Sequence, residues 1–574
     1  MYWTKKQLRE QISVVKEQKE PTIVLKNATY LHGPLKRWIQ GNIWIYKDRI
    51  VYVGEKLPSE MKQTEIVDLS NHYVVPGYVE PHAHPFQLYN PQTLAHYASQ
   101  SGTTILVNDN LHFFLSLPNE KALPFIEQFR KLPTSMYWWS RFDSQTELRN
   151  EEEVFQTNRV KEWMNHPDVI QGGELTAWPK VLHSNDMILH WMQEMKENRK
   201  PIEGHLPGAS EKTITMMELL GVTSDHEAMT GEEAFMRAKL GLMTTLRYSS
   251  IRPDAKKLLK ELQMFELTSY ESFMYTTDGS TPAFLQQGMI DLMIQMALDE
   301  KIDPVEAYNM ASYYPARHFR LDDIFGVIAP GRLAHLNILS SIDCPTPESI
   351  LAKGVWVKRN HRDTYPSISI DWSQMDADVQ LDFDITMEDL HFSMPFGMEM
   401  INSVITKPYQ YSIDVSVEKL NKDHDESFLV LIDRFGKWRV NTLLKGFARH
   451  VGGLCSTYST TGDILLIGKN KRDMLTAFQR VKEMKGGICL IQDGEVCAEI
   501  ELPLDGQMSY EPVEALVKKH TNFVRTLQKL GYTFEDPIYT LLFLSSTHLP
   551  YIRITPTGMY DVMKKTVLFP SIMR

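Results

Sequence analysis

Between residues 74 and 276 the sequence alternates short apolar runs with helical stretches, and this alternation limits the folds open to the chain. Strands that alternate with helices predict a parallel sheet with crossover helices. Eight runs have the length and composition of strands, and eight strands close a barrel. The runs are Val74–Val79, Thr103–Val107, Ser135–Trp139, Asp168–Gln171, Pro201–Glu203, Gly221–Thr223, Gly241–Leu246 and Ser272–Thr276. We therefore expect an α/β fold with a TIM-like (β/α)8 barrel over residues 74–320.

Six side chains that can bind divalent metal ions follow the ends of these runs: His82, His84, Glu174, His205, His226 and Asp278. The carboxyl ends of barrel strands meet at one rim, so the six side chains should lie close together. Imidazoles and carboxylates in this number are the ligands that a pair of divalent metal ions requires. The pattern predicts metal-assisted hydrolysis.

Composition and charge narrow the possible partners. A net charge of -11 and a pI near 6.0 argue against a nucleic-acid partner and leave a small molecule as substrate. The four cysteines form no CxxC pair, which is typical of a reducing compartment. No run approaches the roughly 18 apolar residues of a membrane span. We expect a cytoplasmic protein that contacts no membrane.

The segments on either side of the barrel predict further domains, as expected for a chain of 574 residues. Residues 1–73 read as short strands, and residues 321–371 hold a second β segment that could join them in a small composite β-sandwich domain. Residues 372–574 form a separate C-terminal α/β unit, with predicted strands at 427–432 and 463–467 and a helix at 472–485.

Several stretches of the chain form an ordered set of motifs. In the barrel region they include Val75–His84, Gly173-Glu174, Gly204–Gly208, Ser224–Glu227 and Thr277-Asp278. In the C-terminal unit they are Val440–Gly446, Met484–Gly487 and Asp536–Ser545. With these stretches the chain resembles the amidohydrolase superfamily and, within it, the adenine deaminase family, over nearly its whole length. The His-x-His motif alone is only moderately specific, whereas the ordered set with its C-terminal matches is strong.

The resemblance implies a role for each of the six side chains. His82, His84 and Asp278 would hold one metal ion, His205 and His226 would hold a second, and Glu174 would bridge the two. The ions would be Mn or Fe, with Zn as an alternative. A hydroxide held between them would attack C6 of adenine while Asp278 moves protons, giving hypoxanthine and ammonia in purine salvage. The long C-terminal unit also offers a surface for a homodimer.

Four motifs differ from the usual family pattern where contacts with substrate are expected. The altered stretches are Asp109–His112, Arg247–Ser250, Asp278-Gly279 and Ser459–Asp463. Because of these changes we take His112, Glu227, Arg247 and Tyr248 as candidate substrate-binding residues, although a salt bridge or packing role is an equal alternative for each. Two rival functions follow: hydrolysis of another cyclic amine, cyclic amide or N-acyl bond, and a metal-binding barrel without turnover.

Overall fold

The computed structural model describes residues 3–373, 375 and 381–574. Its centre is a sheet of eight parallel strands in sequential order, which confirms the predicted barrel class. Each strand is buried along almost its whole length, as expected when helices cover the outside and side chains fill the inside. The strands are Tyr78–Ala83, Thr103–Asn108, Ser135–Ser140, Val169–Leu175, Ile202–Gly204, Ser224–Asp225, Met243–Arg247 and Phe273–Thr276.

The predicted position of the first strand was wrong. The run Val74–Val79 is divided between a strand of another sheet, Tyr73–Pro76, and the barrel strand that begins at Tyr78. Gly77 lies at the division, where a Cβ atom would come within 2.1 Å of the hydroxyl oxygen of Thr104. The chain therefore passes from one sheet to the other at a position that has no room for a side chain.

The sixth predicted strand was also displaced. Gly221 caps the preceding helix with φ of 119°, so the strand begins only at Ser224. Gly221 belongs to the helix end because glycine adopts this left-handed conformation without the Cβ penalty.

Glu80 joins the first barrel strand to the last. These two strands contact each other, and the side chain of Glu80 provides hydrogen bonds between them. Its carboxylate accepts from the Thr276 hydroxyl at 2.6 Å and from the Thr277 amide at 2.8 Å. It also accepts from the His82 amide at 3.0 Å. Glu80 is fully buried, so the barrel closes through a polar side chain that satisfies buried donors.

Helices follow most barrel strands. The helical segments over 281–300 and 303–318 are each divided. The first is interrupted near Gly288, with φ of 133°, and the second before Tyr313, where Pro315 lies in the new first turn. The helices of this region are Pro91–Ser99, Leu111–Ser116, Asn119–Glu127, Glu151–Val154, Thr157–Asn165, Trp178–Leu182, Asp186–Glu197, Glu211–Leu220, Gly231–Lys239, Ala255–Leu262, Pro282–Leu285, Ile290–Asp299, Pro304–Met310 and Tyr313–His318.

Strands on both sides of the barrel region form one nine-stranded sheet. The two segments join where Tyr73–Pro76 pairs antiparallel with Leu336–Leu339. The remaining strands are Ile23–His32, Arg37–Tyr46, Arg49–Gly54, Glu65–Asp68, Ser349–Ala352, Val355–Arg359 and Arg362–Asp363, and the helix Lys5–Val15 precedes them.

The C-terminal part contains a second nine-stranded sheet and a three-stranded sheet. The larger sheet consists of Phe396–Met400, Thr406–Gln410, Glu426–Ile432, Trp438–Lys445, Gly453–Ser456, Ile464–Gly468, Gly487–Gln492, Glu495–Glu501 and Ile572–Met573. The smaller one consists of Ile552–Thr555, Gly558–Asp561 and Thr566–Pro570, and the helices are Lys471–Glu483, Val513–Lys529 and Pro537–Phe543.

One hydrophobic core continues from the barrel helices into the C-terminal part. Leu94 and Phe125 on barrel helices belong to the same buried cluster as Leu516 and Phe523 on Val513–Lys529. This shared core fixes the C-terminal part against the barrel. Within the described ranges, no helix is both long and apolar enough to cross a membrane.

We predict that Glu80→Ala lowers the free energy of unfolding by about 3 kcal/mol, because buried donors on two strands would lose their acceptor. Thermal unfolding followed by circular dichroism would show a lower midpoint. Glu495→Ala, at an exposed position, is the control and should leave the midpoint unchanged. Equal midpoints for the two variants would contradict the closing role of Glu80.

Candidate metal centre

The six predicted metal-binding side chains come together at the carboxyl ends of the barrel strands. His82 lies in the first strand and His84 directly follows it. Glu174 lies at the end of the fourth strand, and His205 directly follows the fifth. The other two, His226 and Asp278, follow the sixth and eighth strands. Parallel strands in register explain why residues so distant in sequence meet at this rim.

Among the residues that the structure describes, three groups of side chains have the geometry to hold a metal ion. His82, His84 and Asp278 form one group, and His82, Glu174 and His226 form another. The third consists of His205, His226 and Glu227. Within each group the possible ligand atoms lie within 4.8 Å of one another. Because the groups share His82 and His226, they form one continuous centre.

The surroundings of the His82 ring show whether a cation fits among these side chains. Its side chain is 1% exposed, and neither ring nitrogen has a hydrogen-bond partner among the described residues. Burial, aided by the nearby charge of His226, holds the pKa of His82 well below its ordinary value. A neutral buried imidazole with a free lone pair is what a divalent metal ion binds, so the residues present fit the metal that they would hold.

Glu174 faces two sides of the centre with its two carboxylate oxygens. Oε1 lies 2.5 Å from Nδ1 of His205 and 3.3 Å from Nε2 of His226. Oε2 lies 2.9 Å from Nη2 of Arg141 and 3.7 Å from Nε2 of His84. Burial alone would raise the pKa of Glu174, but the charges of Arg141 and His205 outweigh it and keep the pKa well below its ordinary value.

Asp278 lies between the histidines and an arginine. Oδ1 is 3.0 Å from Nε2 of His84, and Oδ2 accepts from Nη1 of Arg247 at 2.9 Å. The hydrogen bond with His84 and the charge of Arg247 overcome the effect of burial and hold the pKa of Asp278 well below its ordinary value. Its φ of 51° is left-handed, a conformation that costs energy for a residue other than glycine and is often found at functional sites.

Arg141 and Asp109 hold two of the metal-binding side chains in place. The Arg141 side chain is completely buried and pairs with Asp109 at 2.6 Å, in addition to its contact with Glu174. Asp109 in turn lies 3.0 Å from Nδ1 of His84. These contacts orient the His84 ring so that Nε2 points toward Asp278, as carboxylates that contact metal-binding histidines commonly do.

Glu203 supports His226 in the same way. Its Oε1 lies 2.9 Å from Nδ1 of His226, which leaves Nε2 directed at Glu174 and Glu227. Glu203 precedes His205 by two residues, at the end of the fifth strand. His84 and His226 thus each have a carboxylate against Nδ1 while Nε2 faces Asp278 or Glu174.

A cavity of about 470 Å³ opens directly above these side chains. Its floor includes His84, Glu174 and Asp278 from the barrel. The C-terminal part contributes much of the opposite wall, including Tyr458, Ser459, Gln507, Phe543 and His548. The size suits a small molecule, and the site is formed between the barrel and the C-terminal part.

Three of the four predicted substrate-binding residues line this cavity. His112 does so with Nε2 3.2 Å from a carboxylate oxygen of Asp505. Arg247 donates from Nη1 to Glu227 at 2.6 Å, and the charge of Arg247 lowers the pKa of Glu227 to about 2 against the effect of burial. Tyr248 lies outside the cavity, where its hydroxyl donates to Gln287 at 3.1 Å.

The structure adds a second possible role for Glu227 and brings further residues to the site. Glu227 lines the cavity, as a candidate substrate contact would, and its Oε1 also lies 3.5 Å from Nδ1 of His205 and 3.4 Å from Nε2 of His226, within the third candidate metal group. Arg141 directly follows the third barrel strand, and Glu203 lies one residue before the end of the fifth. Their positions near the strand ends are the sequence signal that could have identified them. The sequence carries no comparable signal for Asp505 or His548, which lie far from the barrel region in the sequence.

Comparison with known sequences agrees with this geometry. The profile of the Amidohydrolase family matches residues 73–375, which is more than half of the chain. The chain belongs to the amidohydrolase family. The profile of the adenine deaminase C-terminal domain matches residues 403–566, so the predicted family resemblance is confirmed. Amidohydrolases depend on metal ions, in keeping with the candidate metal groups at the barrel rim.

Two similar proteins match this amidohydrolase over its full length. One, from Halalkalibacterium halodurans, is 55% identical over 575 residues and covers 100% of this chain and 99% of its own. The other, from Bacillus subtilis, is 52% identical over 573 residues, with 100% and 99% coverage. Both carry the name "Putative adenine deaminase".

We predict that Arg141→Met destabilises the metal-free protein by about 3–5 kcal/mol, because two buried carboxylates would lose their shared counter-ion. Chemical denaturation would measure the change. Arg472→Met is the matched control: its ion pair with Glu418 is exposed, and such pairs contribute about 0–1 kcal/mol. A loss for Arg141→Met no larger than for this control would contradict the role of the buried pair.

Proposed function

We propose that this protein is a hydrolytic deaminase that converts adenine and water to hypoxanthine and ammonia. The observation that carries the proposal is the set of buried imidazoles and carboxylates at the floor of the cavity, with His82 unpaired among the described residues. The names of the two relatives and the matched C-terminal domain favour a purine base as substrate. The site alone would also suit other substrates of metal-assisted hydrolysis.

The residues would hold two divalent metal ions. His82, His84 and Asp278 would bind one ion, and His205 and His226 the other, with Glu174 between them. Glu227 lies within reach of the second group and would complete it or hold its orientation. Bound metal ions supply Lewis acidity, which makes water a stronger nucleophile near neutral pH. We propose Mn or Fe, with Zn as the alternative, because imidazole and carboxylate ligands suit all three.

Asp278 would move the protons of the reaction. As the water oxygen bonds to C6 of the purine, Asp278 takes a proton from that water and later gives a proton to the departing amino nitrogen. The C6–N bond then breaks, ammonia leaves, and the oxygen remains on the ring. Arg247 keeps the carboxylate of Asp278 ionised before the reaction, since its Nη1 donates to Oδ2.

Glu174 and Arg141 would act together as a positioning unit. Arg141 fixes one oxygen of Glu174, so the carboxylate cannot rotate away from His205 and His226. Gln145 adds a second donor at 3.2 Å from the same oxygen. A rigid carboxylate between the two groups of histidines preorganises the site before any metal ion or substrate binds.

We also propose that the protein works in the cytoplasm as part of purine salvage. All four cysteines are free in the structure, in keeping with a reducing compartment. The homodimer predicted from the sequence stays a prediction.

Adenine deamination is tested by ammonia release from adenine by the purified protein reconstituted with Mn. Glu174→Gln should lower the rate by at least about 10³-fold, because a neutral amide would hold divalent cations far more weakly than the carboxylate does. Glu501→Gln, at an exposed position, should match the parent protein. No ammonia from the parent, with two metal ions bound per chain, would reject adenine and direct the search to other cyclic amines, cyclic amides and N-acyl compounds. No turnover of any of them would support a metal-binding barrel without activity.

Metal dependence gives a second test. Removal of metal ions with a chelator should abolish turnover and lower the thermal midpoint, because ions that bind only the folded state stabilise it by mass action. Readdition of Mn or Fe should restore both properties. Elemental analysis and calorimetry would compare Zn in the same series. Full activity in protein shown to be metal-free would contradict the proposal.

A further inference from the structure

His548 is a histidine of the C-terminal part that lies over the candidate metal centre. It belongs to the loop between the helix Pro537–Phe543 and the strand Ile552–Thr555. Its ring packs edge-on against the ring of His205, with centroids 5.4 Å apart and planes at 85°. On the C-terminal side it packs against Phe543 at 5.6 Å. His548 thus lines the cavity beside a candidate metal-binding residue.

The backbone on the N-terminal side of His548 is fixed by a barrel loop. The Thr547 amide donates to the Gln145 carbonyl at 2.9 Å, and the Thr146 hydroxyl donates to the Ser545 carbonyl at 2.5 Å. Residues 145 and 146 belong to the loop after the third barrel strand, which also positions the Gln145 amide against Glu174. One barrel loop therefore contacts both the metal centre and the segment that carries His548.

A buried arginine also holds the loop that carries His548. Arg553 is 1% exposed, and its guanidinium donates to the carbonyls of Phe543 and Pro550, both at 3.2 Å. These carbonyls lie on either side of His548 in sequence. The ring of His548 is thus held in place by the backbone around it, a degree of support typical of residues that need an exact position.

One ring nitrogen of His548 lacks a hydrogen bond. Among the described residues, its buried Nδ1 has no partner. A buried polar atom without a partner is unfavourable, and a bound ligand or water is one way to supply the missing bond. The packing contacts of the ring would be equally well made by phenylalanine, so packing alone does not account for an imidazole here.

We propose that His548 binds the substrate directly, through a hydrogen bond between its imidazole and a nitrogen of a planar nitrogenous base that lies in the cavity beside His205. The inference rests on the proposed function and adds to it a substrate contact from outside the barrel. Apolar cavity residues such as Ile405, Leu542 and Phe543 would cover the faces of such a base. The C-terminal part would then be required for substrate recognition as well as for enclosing the site.

The test uses the full-length protein loaded with Mn and three variants. His548→Phe keeps a ring of similar size but removes the hydrogen bond, and His548→Gln keeps an amide that can form one. His450→Phe is the matched control, because His450 is exposed in the C-terminal part. For each protein we would measure bound Mn by elemental analysis, the thermal midpoint, kcat and KM for adenine, and the Kd of hypoxanthine by calorimetry.

We expect His548→Phe to keep the Mn content and thermal midpoint of the parent while kcat/KM for adenine falls about 10- to 100-fold. The Kd of hypoxanthine should rise in the same variant, and His548→Gln should recover part of both losses. A purely structural role would lower the thermal midpoint and would not be rescued by glutamine.

Two results would overturn the inference. In the first, the kinetics and the hypoxanthine Kd of His548→Phe equal those of the parent and of His450→Phe. In the second, His548→Phe loses Mn, which would make His548 a metal ligand. Failure of the proposed function is a separate result, in which the parent itself releases no ammonia from adenine. If the parent hydrolyses another cyclic amine or amide, the same variants test His548 on that compound. If the parent neither binds nor hydrolyses any of these compounds, both proposals are rejected.

Discussion

The buried charges at the barrel rim are the constraint on which the rest of this site depends. Arg141 lies between Asp109 and Glu174, and Arg247 lies between Glu227 and Asp278. Each arginine therefore pairs with two carboxylates, and all four carboxylates also lie within 3.4 Å of a histidine nitrogen. Charges buried without such partners would cost several kcal/mol each. The arginines make it possible for the fold to keep carboxylates ionised in the buried centre that also holds His82, whose ring has no hydrogen-bond partner among the described residues.

The need to pair buried polar groups also explains which residues occupy several neighbouring positions. Asp109 and Glu203 contact the Nδ1 atoms of His84 and His226, respectively, and so set the direction in which each Nε2 points. Glu80, which is buried in the first strand, accepts hydrogen bonds from the last strand close to Asp278. The same polar network thus closes the barrel and positions the side chains at its rim.

The C-terminal part completes an enclosure that the barrel alone leaves open. It packs on barrel helices through a continuous hydrophobic core and brings polar and aromatic side chains over the rim. His112 and Asp505 pair across the boundary between the two parts, and Thr146 and Ser545 form a hydrogen bond across it. Enclosure from two sides reduces contact with bulk water, and electrostatic interactions are stronger where less water surrounds them.

The sequence by itself determined the barrel, the family and the six side chains at the rim. It could do so because strand and helix alternate with clear periodicity, and because residues after parallel strands must meet at one edge. It placed the first and sixth strands wrongly, since Gly77 and Gly221 act through close packing and helix capping, which apolar runs do not reveal. Only the tertiary structure decided that Glu227 approaches the histidines, that Tyr248 lies outside the cavity, and that Asp505 and His548 reach the site. Those positions depend on how loops and domains pack across several hundred residues, and local sequence patterns carry no information about such distant contacts.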